Sequence, residues 1–70
     1  MDRVYINIRN RRKALGMTQK ELADKAGYTD HTTINKMENG LVDVTFGRLQ
    51  KIADALQTTV IDLIMEGEEQ

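Results

Sequence analysis

Seventy residues with a net charge of −1 and no cysteine limit this chain to one domain and exclude both a disulfide framework and a thiolate metal site. The single histidine, His31, excludes a multi-histidine site, and the longest apolar run, Val60-Ile61 followed by Leu63-Ile64-Met65, is far too short to span a bilayer. Near-neutrality speaks against nucleic acid, whose binders are usually basic, yet the charge is polarised: residues 1–25 hold seven basic and three acidic side chains, and residues 26–70 hold three basic and eight acidic ones.

Steering depends on local field rather than net charge. The cluster Arg9, Arg11, Arg12 and Lys13 is therefore either an anion-facing patch or the solvated face of a helix. The N-terminal stretch MDRVYINIRNRRK lacks the apolar block and cleavage site of a signal peptide. Together with the missing cysteine, this fits a reducing, cytoplasmic setting.

Proline is absent, so glycines and small polar caps punctuate the chain, and five helices fit the pattern. The first is expected over about residues 3–15. Val4, Ile8, Arg12 and Leu15 fall on one stripe at helical spacing, with Tyr5 beside it. Arg12 puts a charge on the core-facing line, and Ile6 lies off it. Gly16 stops the helix, with basic residues in its last turns as the dipole favours. The second begins at Thr18, where Thr18-Gln19-Lys20-Glu21 reads as a capping box. It buries Leu22, Ala23 and Ala26 and ends at Gly27.

The third is expected over about residues 31–38, with Asp30 as N-cap and Gly40 just past its end. Its apolar surface is small, only Ile34 and Met37. Tyr28-Thr29-Asp30 alone separates it from the second, so the two make a helix-turn-helix. The fourth is expected over residues 46–56, capped by Thr45 and burying Phe46, Leu49, Ile52, Ala53 and Leu56. The fifth, residues 60–65, is capped by Thr59 and carries Asp62 in its first turn. The acidic tail, residues 66–70, is expected to fray. Val42-Asp43-Val44 is β-prone but too short for a strand, so the fold class is all-α, one domain over residues 1–70.

Chemistry is sparse. There is no nucleophile–base constellation, no phosphate loop and no enclosed carboxylate pair, so an enzyme is not expected and no cofactor is implied. A metal at His31 would lack co-ligands. The tyrosines and the one phenylalanine form no stacking platform for single strands. Met1, Met17, Met37 and Met65 read as a start residue and packing fillers.

The segments LGMTQKELA (residues 15–23), Ala26-Gly27, INKMENG (residues 34–40) and LQKIADAL (residues 49–56) resemble the phage repressor and Cro type of helix-turn-helix. The resemblance runs from about Ile8 to Met65. It rests on small-Gln-x-Glu-Leu-Ala and Ile-x-x-Met-Glu-x-Gly in the right order and at the right helix lengths. It implies a five-helix bundle like that of lambda repressor, with the helix-turn-helix formed by helices two and three. It also implies sequence-specific binding to double-stranded DNA by a transcriptional regulator, a repressor of prokaryotic or phage origin.

On this resemblance the third helix enters the major groove. His31, Thr32, Thr33, Asn35 and Lys36 become the base-reading candidates: Asn suits adenine, Lys suits guanine, and a Thr methyl suits thymine. Gln19, at a helix N-terminus, and Asn39 become phosphate contacts, with Arg11 and Lys20 as further ones. Arg12 and Glu38 become a partly buried ion pair, or else remain ordinary surface charges. Tight binding then calls for a homodimer on a palindromic operator, with Ile61 and Ile6 as candidate dimer contacts. No membrane and no small-molecule substrate is implied. The alternative is a protein-interaction or antitoxin-like adaptor on the same scaffold.

Two departures from the common pattern matter. One extra residue lies between Gly27 and Ile34, leaving open whether His31 or Thr32 leads into the groove. Gln57 stands where glycine often ends the fourth helix, at a cost of ~1 kcal/mol.

Overall fold

Helix boundaries in this chain are set by side-chain caps and left-handed residues. The computed structural model describes residues 2–65, with α1 at Asp2–Ala14, α2 at Gln19–Ala26, α3 at His31–Glu38, α4 at Phe46–Ala55 and α5 at Val60–Met65. No strand occurs among the described residues. The expectations for Met1 and for the tail, residues 66–70, lie outside them. The fold class is all-α, as the periodicity required, with α1 and α4 each ending one residue earlier than expected.

The caps explain the boundaries. Thr18 accepts a hydrogen bond from the Glu21 N–H while Glu21 Oε1 accepts one from the Thr18 N–H, so the capping box is complete at the start of α2. Asp30 accepts from the Thr32 N–H at the start of α3. Thr45 accepts from Arg48 and Thr59 from Asp62, opening α4 and α5. Each such oxygen satisfies a backbone donor that the first turn leaves orphaned. The chain leaves α3 through Gly40, at φ +69°, where an added Cβ would lie 3.2 Å from the Tyr5 ring. Glycine is required there twice, by conformation and by the closeness of Tyr5.

One core joins all five helices: Val4 and Ile8 from α1, Leu22, Ala23 and Ala26 from α2, Ile34 and Met37 from α3, Leu49, Ile52 and Ala53 from α4 with Leu56 just past it, and Val60 and Leu63 from α5. Val42 and Val44, in the α3–α4 connection, pack against it half-buried. Asn7 is buried too, and its amide donates to the Leu63 carbonyl, tying α1 to α5.

Two expected core residues are outside. Leu15 is exposed, because α1 ends at Ala14 and the chain turns away at Gly16, so the helical phase that aligned Leu15 no longer applies. Phe46 is 71% exposed. It is in phase with Leu49, but it occupies the first position of α4, at the margin beside Val60 and Ile61, where no further element among the described residues covers it.

The end of α4 has an unexpected solution. Gln57 adopts the left-handed conformation at φ +59°, which an L side chain tolerates poorly. Arg11, from α1, donates through Nε to the Leu56 carbonyl and through Nη2 to the Gln57 carbonyl, each at 3.2 Å. A cation thus meets the negative end of the α4 dipole and satisfies carbonyls that the helix leaves free. Gln57→Gly is expected to raise the unfolding free energy by about 0.5–1 kcal/mol by removing the left-handed strain. A urea titration reads this as a higher midpoint at unchanged slope; an unchanged or lower midpoint contradicts it.

Candidate nucleic-acid interface

α3 is held by two apolar residues and one carboxylate. Ile34 and Met37 are fully buried in the cluster that contains Leu22 and Ala23 of α2. Glu38, the only acid within α3, turns inward, and its side chain is 1% exposed. Arg12 reaches it with a fork: Nε donates to Oε2 at 2.6 Å and Nη2 to Oε1 at 3.1 Å. The third nitrogen, Nη1, donates to the Met17 carbonyl at 2.7 Å, before α2. Gln19 Nε2 adds a bond to Oε1 at 3.2 Å. Arg9 lies over the same site, with Nη2 donating to the Glu38 carbonyl at 3.4 Å and Nε 3.8 Å from Oε1. The charge on the core-facing line of α1 is thus explained by a partner on α3.

The opposite face of α3 is polar. His31, Thr32, Asn35 and Lys36 are exposed and Thr33 is half-buried. The longer turn is accommodated by Gly27, left-handed at φ +87°, and by Tyr28, whose N–H donates to the Ala23 carbonyl, so that His31 becomes the first residue of α3. Asp30 holds this start, its carboxyl kept below the usual carboxylate range first by the Thr32 N–H, then by the Thr32 hydroxyl, with the His31 and Lys36 charges assisting.

Four of the expected site residues meet around the N-terminus of α2 and the C-terminus of α3. Gln19 bonds Glu38, and its Oε1 accepts from Asn35 Nδ2 at 3.5 Å. Asn39 Nδ2 donates to the Asn35 carbonyl at 2.8 Å and lies 3.4 Å from Asn35 Oδ1. Lys20 is exposed, with Asp24 at 3.5 Å one turn on. Arg11 is elsewhere, spent on the end of α4. Ile61, 67% exposed, lies across the bundle and lines an open groove of about 460 Å³ with Phe46, Gln50, Asp54, Thr58, Thr59 and Val60. Ile6 is 48% exposed on α1 and does not line that groove.

Sequence reasoning missed Asn7, Arg9 and the Phe46 part of the groove. Arg9 carried a usable signal, since it sits three residues before Arg12 and helical spacing puts both on one side of α1. Asn7 carried none: a polar residue beside an apolar stripe reads as surface until a carbonyl is brought to meet it.

The chain matches the helix-turn-helix family over residues 8–63, well over half its length. The match spans all of α2–α4 and most of α1 and α5. No curated protein matches the chain in sequence.

Glu38→Ala would strand a buried guanidinium, and it is expected to cost about 3–5 kcal/mol, more than the joint change Arg12→Met with Glu38→Leu. Denaturant midpoints of the variants check this, and equal losses contradict it. Asp30 adds a pH component. A carboxyl whose folded-state pKa lies below its unfolded value stabilises fully above the unfolded value and loses that contribution as pH falls through the folded value. Asp30→Asn, which caps without titrating, is expected to flatten that part of the acid limb in melting temperature against pH; an identical limb contradicts the assignment.

Proposed function

The chain belongs to the helix-turn-helix family of the phage repressor and Cro type, whose members bind double-stranded DNA and regulate transcription, and from that premise we propose that it is a prokaryotic or phage repressor that binds a palindromic operator as a homodimer. The observation that carries this reading is the sidedness of α3. Its only acid is turned inward onto Arg12, and every exposed side chain between Asp30 and Gly40 is neutral or basic. The one exposed carboxylate at this helix, the Asp30 cap, is engaged by the Thr32 N–H and hydroxyl, and beyond it α3 offers no negative charge to repel a phosphate-lined groove.

In this reading α3 lies in the major groove with His31, Thr32 and Thr33 at its leading end and Lys36 one turn on. Lys36 suits guanine O6 and N7, and the threonine methyls suit thymine. Gln19, Asn39 and Lys20 meet the backbone and set the register. The free N–H groups at the start of α2 favour an anion. Arg11 is left out of this set because its donors already serve the carbonyls after α4. The role belongs to a bacterial cytoplasm or nucleoid, and no described helix is long and apolar enough to cross a membrane.

An eight-residue helix is about 12 Å long, enough for about four base pairs at ~3.4 Å each. Specific affinity therefore calls for a second half-site, and so for a second copy. The groove between Phe46 and Ile61 is the surface offered for that copy, with both side chains more than two-thirds exposed. Ile6 is the secondary candidate. The same exposed apolar residues, with the net charge of −1, favour the second reading, a protein-interaction or antitoxin-like adaptor.

Selection of duplexes from a random pool separates the two. A repressor is expected to enrich a palindrome with half-site centres about 34 Å apart and to lose affinity steeply with salt. Lys36→Ala is expected to relax one base-pair position in each half-site. Ile61→Asp is expected to sediment as a monomer and to lose the preference for paired half-sites. Failure to enrich any duplex supports the adaptor.

A further inference from the structure

Asn35, the one side-chain amide within α3, has the chemistry of an adenine reader, yet its amide nitrogen and its amide oxygen each already face a partner within the protein. Four groups form one chain of donors and acceptors. At one end is the Glu38 carboxylate, acceptor only, which receives Gln19 Nε2 at 3.2 Å. This fixes which way the Gln19 amide faces, with Oε1 turned to Asn35 Nδ2 at 3.5 Å. At the other end is the Asn35 backbone carbonyl, also acceptor only, which receives Asn39 Nδ2 at 2.8 Å. That fixes Asn39 and brings its amide nitrogen to 3.4 Å from Asn35 Oδ1. Both ends are set by groups that cannot donate, so the Asn35 amide between them has one consistent orientation.

The consequence falls on Gln19. Its oxygen faces Asn35 and one amide hydrogen faces Glu38. The second Nε2 hydrogen remains free, and it is a donor. A phosphate oxygen needs a donor, and a glutamine free to flip would present its oxygen half the time. We propose that Asn35 is a positioning residue rather than a base reader: its side chain holds Gln19 as a committed donor, beside an Asn39 held by the Asn35 backbone carbonyl, so that both amides meet the DNA backbone already oriented. The long Asn39–Asn35 side-chain contact is the one that yields, because a charge-assisted bond to phosphate is stronger than a neutral one at 3.4 Å. Sequence reading is then left to His31, Thr32, Thr33 and Lys36.

This inference rests on the DNA-binding reading above, and the test separates the two. The wild-type chain, Asn35→Ala, Gln19→Ala and the double variant are each assayed against the selected operator and against every single-base-pair variant of it. Asn35→Ala is expected to weaken all duplexes alike, by about fivefold, the loss typical of one hydrogen bond, with base preferences unchanged. In the Gln19→Ala background it is expected to cause no further loss, because its effect passes through Gln19. Relaxed preference at one base-pair position in Asn35→Ala, or losses that simply add in the double variant, overturns the positioning role while leaving DNA binding intact. Failure of the wild-type chain to select any duplex overturns the DNA-binding reading and this inference with it.

Discussion

The arrangement depends on one buried carboxylate. Glu38 closes the C-terminal end of a helix that has only Ile34 and Met37 to dock it. Two apolar side chains on adjacent turns leave a short helix free to rock about its own axis. The Arg12 fork supplies a third, laterally offset point. A bidentate guanidinium–carboxylate contact has directional demands that apolar packing lacks, and Arg12 simultaneously holds the Met17 carbonyl. One guanidinium thereby references α3 and the start of α2 to α1.

Burying such a pair is not an efficient way to stabilise a small protein. Its desolvation offsets much of its attraction, and a well-packed apolar substitute often does as well. What the pair contributes here is geometry. Gln19, itself at the mouth of α2, takes its orientation from the same carboxylate, and the amides of Asn35 and Asn39 follow in turn. A rigid internal anion thus sets which atoms of a neutral surface cluster face outward.

Charge placement reconciles an acidic composition with an anionic partner. Asp43, Asp54 and Asp62 lie in the α3–α4 connection, on α4 and on α5, while the first three helices carry most of the cations. Within α3 the single acid is neutralised internally. Arg11 is the counterexample to reading a basic cluster as one patch: it serves the α4 dipole and the left-handed Gln57, whereas Arg12, the next residue, is buried against Glu38 and Arg9 lies beside it.

Much of this was legible in the residues alone. The capping box at Thr18, the caps at Asp30, Thr45 and Thr59 and the left-handed Gly16, Gly27 and Gly40 act within a few residues of themselves. Helical spacing likewise marked Val4, Ile8, Leu22, Ile34, Leu49 and Ile52 as buried. Such features need no distant partner, so the sequence determined the five helices, their order and most of the core. Tertiary structure decided the rest. Phe46 is exposed because no element among the described residues covers the start of α4, Asn7 is buried because a carbonyl of α5 reaches it, and Arg11 serves as a helix cap because α4 ends beside it. Asn35 faces its neighbours because Gln19 and Asn39, sixteen and four residues away, converge on it. Each of these outcomes depends on what is brought opposite a side chain, and residue type and spacing carry no record of that.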